Sequence, residues 1–260
     1  MAPTLEAVLR RDRAVVAGGL AALAILAWLY LLRMARDMAE MDMHAAMGMA
    51  MPRQTSWSPV DLLLMFVMWA VMMVAMMLPS AAPMILMFAA IERRREQTRR
   101  PLGRTGVFVL GYVGVWTAYS AIAALVQWGL HTAALLSPMM VITSPYLGGG
   151  IWIAAGLFQW TPLKAMCLRH CRSPLGFLMT EWRDGTGGAL VMGLRHGAYC
   201  VGCCWVLMAL LFAAGVMNLA WVAAIAVLVL VEKVLPGDQR VARLAGVVLM
   251  IGGLLLVSRG

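Results

Sequence analysis

The chain has 260 residues, of which 63% are hydrophobic and only 13% are charged, and its mean hydropathy is +0.84. A water-soluble domain of this size has to cover its apolar core with far more polar surface. This composition therefore excludes an ordinary soluble domain and predicts an all-α, polytopic membrane protein.

The formal net charge of +9 arises from 21 Lys and Arg residues against 12 Asp and Glu residues. The basic residues cluster in alternate connections between apolar segments, as in the run of Arg93, Arg94 and Arg95. That alternation is the positive-inside pattern of membrane proteins, and it predicts a cytoplasmic N-terminus. We therefore expect lipid headgroups, not nucleic acid, as the partner of these charges, in a bacterial inner (cytoplasmic) membrane.

Seven apolar segments approach the roughly 20 residues that a helix needs to cross a bilayer. They predict a bundle of about seven transmembrane helices, with the first segment retained because it lacks a small-residue cleavage site. We divide the chain into an N-terminal cytoplasmic segment with the first span (1–36), a Met-rich outer loop (37–59) and a six-helix metal-binding membrane domain (60–260). The predicted spans cover residues 14–32, 60–90, 105–130, 148–166, 197–217, 219–234 and 241–257.

Methionine is concentrated in the predicted outer loop. Six of the fourteen residues from Met38 to Met51 are methionine. Thioethers are soft ligands that need no deprotonation and suit Cu(I) in an oxidising compartment. An alternative is a low-complexity segment that lies on the bilayer surface. The metal hypothesis predicts ligands at Met41, Met43, His44 and Met47.

The second predicted span continues this chemistry. Met65, Met68, Met72 and Met76 recur at spacings of three and four, which places them on one face of a helix. Methionine on a membrane helix also packs well without any metal, so both interpretations stay open. Two prolines, at positions 79 and 83, each remove a backbone hydrogen bond and predict a kink or break that exposes carbonyls.

All five cysteines fall in two groups. Spacings of three and four put His196, Cys200, Cys203 and Cys204 on one side of a helix, and Cys167, His170 and Cys171 lie about thirty residues upstream. We expect the two groups to meet at the cytoplasmic membrane face, where thiols stay reduced. Metal binding or transient redox chemistry is then favoured over structural disulfides.

Several charged residues lie near the cysteines in the sequence. Lys164, Arg169 and Arg172 are expected to favour the thiolate form of Cys167 and Cys171, unless they extend to lipid headgroups instead. Near the end of the sixth predicted span, Glu232 is expected to pair with Lys164 or Lys233, or to act as a hard ligand or proton acceptor.

Three runs together carry a resemblance: Met68 to Pro79, Thr161 to Pro174, and His196 to Trp205 with the later Glu232-Lys233 pair. They resemble a bacterial domain-of-unknown-function family whose members are described as predicted metal-binding integral membrane proteins. The resemblance covers roughly residues 57–257 and implies a metal site without naming the metal or a reaction. The residues carried over are Met72, Met76, Pro79, Lys164, Cys167, Cys171, His196, Cys200, Cys203, Cys204 and Glu232.

The leading hypothesis is a membrane protein that binds a soft metal, Cu(I), and moves or delivers it across the inner membrane. Thioethers outside and thiolates inside would form a series of sites of rising affinity for a soft cation. Zinc is the alternative metal, because it accepts a Cys and His ligand set. A metallochaperone or a redox protein would be the partner.

Two other functions fit the same residues. Cys200 and Cys203 form a Cys-x-x-Cys at a predicted helix start, which is typical of a membrane thiol-disulfide oxidoreductase. The chain could also be a non-catalytic assembly subunit. An ATP-binding motif, a hydrolytic triad and a metalloprotease helix are missing from the sequence, which disfavours a conventional enzyme without deciding the question.

Overall fold

The computed structural model describes residues 5–46, 58–95, 101–137, 140–235 and 239–259, without the side chains of 5–9, 41–46 and 101. These residues form α-helices, joined by short connections, and the described part of the chain contains no β-strand, only an isolated bridge between Leu136 and Ile142. The predicted all-α class is confirmed. In chain order the helices are α1 (Leu5–Ala46), α2 (Pro59–Arg95), α3 (Pro101–Thr132), α4 (Pro145–Phe158), α5 (Pro162–Arg172), α6 (Pro174–Glu181), α7 (Gly185–Ala214), α8 (Leu219–Val234) and α9 (Arg240–Ser258).

Five of the described helices, α1, α2, α3, α7 and α9, are long and apolar enough to cross a membrane. The prediction of seven was wrong for the fourth and sixth spans. The fourth is divided at Gln159 to Thr161 into α4, with 14 residues, and α5, with 11. The sixth is α8, with 16 residues. At about 1.5 Å per residue, neither α4 nor α8 reaches the roughly 30 Å of a hydrocarbon core.

Helix α1 continues to Ala46, so the first residues of the segment predicted as an outer loop are helical. Along its length α1 packs mainly against α2. The predicted ligand Met47 lies outside the described residues, as do the side chains of Met41, Met43 and His44.

Helix α2 runs unbroken through both prolines, so of the predicted kink or break the structure excludes the break. One carbonyl in this stretch is nevertheless available to other side chains. The Met77 carbonyl accepts hydrogen bonds from the Ser80 hydroxyl at 2.8 Å and from the Tyr112 hydroxyl at 3.1 Å. The second of these bonds ties α2 to α3 in the centre of the bundle.

Helices α3 and α7 approach each other at backbone contact. A Cβ atom added to Gly193 would lie 2.1 Å from the Phe108 carbonyl oxygen, and one added to Gly111 would lie 2.6 Å from the Leu190 oxygen. On α3 the close approach is at Gly111, whereas Gly114 faces open space. Because these glycines fix α7 against α3, the cysteine face of α7 is turned towards the interior.

Helices α4 and α9 form a second close pair. Added Cβ atoms at Gly149 and Gly156 would each lie 2.7 Å from a backbone oxygen of α9, those of Gly253 and Gly246. Helix α4 also packs against α7, and this second contact holds the pair against the bundle. It thereby sets the position from which α5 begins.

Candidate functional site

The three cysteines of α7 face the centre of the bundle. Cys200, Cys203 and Cys204 are at most 1% exposed, and His196, one turn earlier, is 2% exposed. Helix α7 begins at Gly185, about four turns before Cys200. The prediction that Cys200 and Cys203 lie at a helix start was therefore wrong, because a helix dipole acts on thiols only within its first turn.

Helix α5 brings the other two cysteines to the same place. It begins at Pro162 because proline fits the first helical position and the Thr161 side chain accepts a hydrogen bond from the Lys164 backbone. Two turns on, the buried Cys171 side chain lies close enough to Cys200 and Cys203 to interact with both thiols. The two cysteine groups of the sequence meet in the structure.

Cys167 packs closely against α7 at Gly202, where any side chain larger than that of glycine would clash with its sulfur. A Cβ atom at Gly202 would lie 2.8 Å from Cys167 Sγ. Gly202 lies between Cys200 and Cys203, so Cys167 packs against the backbone of the same turn that carries these thiols. All five cysteines are buried and none is in a disulfide.

A buried ammonium group lies against the central thiol. Lys233 Nζ of α8 is 2.8 Å from Cys200 Sγ and 2.9 Å from the Ser80 hydroxyl of α2. The Tyr112 hydroxyl of α3 lies 3.1 Å from the same sulfur. Cys200 is thus surrounded by polar groups from three further helices, inside an otherwise apolar core.

The thioether of Met77 lies beside a thiol of the cluster. Its Sδ lies 3.9 Å from Cys204 Sγ. The predicted ligands Met68, Met72 and Met76 are buried in the core, and Met65 packs against it. The methionine that contacts a thiol therefore lies on the α2 face adjoining the one predicted to bind metal.

The second buried lysine has a different partner. Lys164 Nζ is 2.6 Å from Glu232 Oε2, with both side chains at most 2% exposed. Glu232 also accepts a hydrogen bond from Gln159 Nε2 at 3.0 Å, and its carbonyl accepts one from Arg172. Of the roles expected for Glu232, the structure shows pairing with Lys164. This network links both ends of α5 to α8, next to Lys233.

The predicted effect of these cations on Cys167 was wrong. Lys164 and Arg172 bond to Glu232, and Arg169 is exposed. Burial, followed by the nearby charge of Cys203, raises the pKa of the Cys167 thiol. Desolvation disfavours the charged form of this thiol.

The two histidines near the cysteines differ in their surroundings. His170 stacks on Tyr199 at 4.1 Å between ring centroids, and its Nδ1 lies 2.9 Å from the Met166 carbonyl. His196 is enclosed by aromatic rings, including that of Tyr112 at 5.5 Å, and among the described residues its Nδ1 has no hydrogen-bond partner. Of the two, His196 has a buried nitrogen facing no protein partner.

Within the described part of the chain, no set of three or more His, Cys, Asp or Glu side chains is arranged to hold a metal ion. The orientation of two of the thiols accounts for this. Cys203 Sγ and Cys204 Sγ both bond to the Cys200 carbonyl, at 3.1 and 2.9 Å. Each thiol is turned along α7 by this bond, so common coordination requires loss of the thiol protons and rotation about χ1.

Sequence reasoning missed the surroundings of Cys200. Lys233 was considered only as a partner of Glu232, and Ser80 and Tyr112 were not singled out. An ionisable residue in an apolar span marks a functional site by default, so Lys233 was recognisable from the sequence. For Ser80 and Tyr112, no spacing or composition signal was available.

Comparison with protein families gives one further finding. The family model described as PpoB2, copper chaperone, matches residues 66–256, which include the helices that carry every thiol of the site. This match places the chain in a copper-related family, and it does not extend to the specific domain-of-unknown-function family that the sequence resembles. Comparisons with curated proteins and with solved structures find no match.

Proposed function

The chain belongs to the PpoB2 family of copper chaperones, and on that premise we propose that it is a multi-pass inner-membrane protein that binds Cu(I) and delivers it across or within the membrane. The observation that carries this proposal is the approach of the α5 cysteines to the thiols of α7, where Cys167 packs against Gly202 and Cys171 lies close to Cys200 and Cys203. It joins thiols from two helices at one buried point. Thiolates are the ligands that soft Cu(I) prefers.

We assign the principal ligands to Cys200, Cys203 and Cys204, with Cys171 completing the thiol set. Met77 adds a neutral sulfur beside Cys204. A set that mixes thiolates with a thioether favours Cu(I), whereas Zn²⁺ takes four N, O or S ligands and seldom a thioether. Cys167, His196 and His170 then support the site from positions around it.

The methionines define the route in this proposal. With a cytoplasmic N-terminus, α2 begins outside and ends inside at Arg93 to Arg95, and Met65, Met68, Met72 and Met76 lead inwards from the outer segment. Met77 and Cys204 then mark the transfer from thioethers to thiols. A metallochaperone or a copper enzyme would receive the ion, so the chain carries copper as cargo.

The test is a Cu(I) titration of the purified protein in detergent, against a competing Cu(I) chelator and with a non-thiol reductant. The triple variant Cys200→Ser/Cys203→Ser/Cys204→Ser should lose the tight site. Met84→Leu, another buried α2 methionine, is the matched control and should keep it. Full copper stoichiometry in the triple variant would refute the assignment.

The thiol-disulfide oxidoreductase hypothesis has less support. All five thiols are at most 8% exposed. A protein disulfide has to reach the attacking sulfur directly, and these sulfurs are enclosed by α2, α3, α5 and α8. In addition, Cys200 does not lie at a helix start, so the helix dipole does not activate its thiol.

A further inference from the structure

A cavity lies between the start of α1 and the end of α2. Its volume is about 190 Å³, and its lining combines charged residues of α1 with apolar and charged residues of α2, among them Arg10, Asp12, Arg13, Leu86, Ala89 and Arg94. No residue of the sulfur site lines it. The cavity is therefore separate from the proposed copper site.

The lining of this cavity is strongly basic. It contains guanidinium groups from Arg10, Arg13 and Arg94, against the carboxylate of Asp12. That carboxylate is 9% exposed and already forms an ion pair with Arg93, which is not part of the lining. The lining thus keeps an excess of positive charge, and a concave surface with such an excess attracts anions.

The kind of positive charge indicates the kind of anion. A guanidinium group is planar and weakly hydrated, and it can donate two parallel hydrogen bonds to two oxygens of one phosphate. Arg10 and Arg13 are three residues apart and therefore lie on one face of α1. Arg94 reaches the same cavity from α2. Donors from two helices can thus converge on one phosphate group.

The rest of the lining is apolar and distinguishes a lipid from a free ion. Leu86 and Ala89 precede Arg94 on α2 and lie deeper in the apolar part of that helix. A free phosphate ion gains nothing from apolar surface, whereas a phospholipid carries glycerol and acyl carbons next to its phosphate. With a cytoplasmic N-terminus, the cavity lies at the leaflet where anionic headgroups meet basic pockets between helices.

We propose that this cavity binds an anionic phospholipid of the cytoplasmic leaflet, with Arg10, Arg13 and Arg94 around its phosphate and Leu86 and Ala89 against its glycerol and acyl carbons. The inference rests on the membrane topology in the proposed function, and it does not depend on copper. Because α1 and α2 already pack together, a lipid held by both helices stabilises the folded protein.

The test titrates delipidated, full-length protein in detergent with dioleoyl phosphatidylglycerol, with dioleoyl phosphatidylcholine and with inorganic phosphate. Native mass spectrometry measures binding, and thermal unfolding measures Tm. We expect phosphatidylglycerol to fill a single saturable site and to raise the Tm. Phosphatidylcholine has the same chains and a phosphate but no net charge, so it should bind about tenfold more weakly. Inorganic phosphate should leave the Tm unchanged.

Variants separate the cavity from the general basic surface. Arg13→Gln/Arg94→Gln removes two guanidinium groups from the lining and should weaken phosphatidylglycerol binding by about tenfold or more. The matched control is Arg11→Gln/Arg183→Gln, which removes the same charge from two exposed arginines that are not part of the lining, and it should bind as wild type does. If the first double variant does not fold, Arg13→Gln is compared with Arg11→Gln.

Equal weakening in the cavity variant and its control would show only a general attraction of lipid to basic surface, and would overturn the inference. Equal affinity for the two lipids, or a Tm shift with inorganic phosphate as large as that with phosphatidylglycerol, would overturn it as well. A Cu(I) titration of the same samples separates the two proposals. Loss of the lipid site with copper binding retained would count against this inference alone, and lipid binding without copper binding would count against the proposed function alone.

Discussion

Cys204 Sγ and Met77 Sδ lie 3.9 Å apart, across the contact between α7 and α2. They are a thiol and a thioether from helices that are far apart in sequence, and both are buried. In a core that otherwise packs aliphatic and aromatic groups, this pair is where the methionine-rich helix reaches the cysteine cluster.

Replacing Met77 with Leu should lower the Cu(I) affinity by about tenfold, because it removes one soft ligand while nearly conserving side-chain volume. A chelator competition titration measures this change. Met84→Leu is the matched control, since Met84 is equally buried on the same helix, and it should bind as wild type does. Equal affinities for the two variants would remove Met77 from the site.

Gly193→Ala should destabilise the protein by about 2 kcal/mol or more, because the new Cβ would meet the Phe108 carbonyl at 2.1 Å and backbone atoms cannot move aside cheaply. The loss of the α3 and α7 contact should appear as a lower Tm in detergent. Gly114→Ala is the control on α3. Its Cβ meets open space, and alanine favours a helix over glycine, so its Tm should be unchanged or raised.

Glu232→Gln should destabilise the fold by about 3 to 5 kcal/mol, because it leaves the Lys164 ammonium buried without a counter-charge. Adding Lys164→Met should recover much of the loss, since the double variant buries no unpaired charge. The two single variants and the double variant form a cycle that chemical unfolding can measure. Additive losses would show that the 2.6 Å contact does not couple the two residues.

A membrane-impermeant maleimide should label none of the five native cysteines in folded protein, because all are buried, and should label all five after denaturation. Met179→Cys supplies the positive control, since Met179 is 76% exposed on α6. Rapid labelling of Cys200 or Cys203 in the folded protein would instead support the thiol-disulfide oxidoreductase hypothesis.

The sequence was sufficient to predict the helical class and the meeting of the two cysteine groups. Both follow from local signals. Apolar length and helical period place Cys200, Cys203 and Cys204 on one face, and the positive-inside pattern puts Cys167 and Cys171 near the same end of the bundle.

Other features depended on packing between helices. The interruption at Gln159 to Thr161 is an exception, because Thr161 and Pro162 are a local start signal for α5 that average hydropathy does not detect. The spacing of the methionines predicted which of them share one face of α2, but not which residues that face contacts. The methionine that lies beside a thiol is Met77, which is outside the predicted set. Lys233 contacts Cys200 while Glu232 pairs with Lys164 from another helix, and no local pattern indicates either partner.

The most direct test of the sulfur site is X-ray absorption at the copper K-edge, on the purified protein loaded with one equivalent of Cu(I). We predict a first coordination shell made of sulfur alone, which disappears in the Cys200→Ser/Cys203→Ser/Cys204→Ser variant. A shell of nitrogen and oxygen, or a sulfur shell that survives in that variant, would contradict the assignment of copper to these thiols.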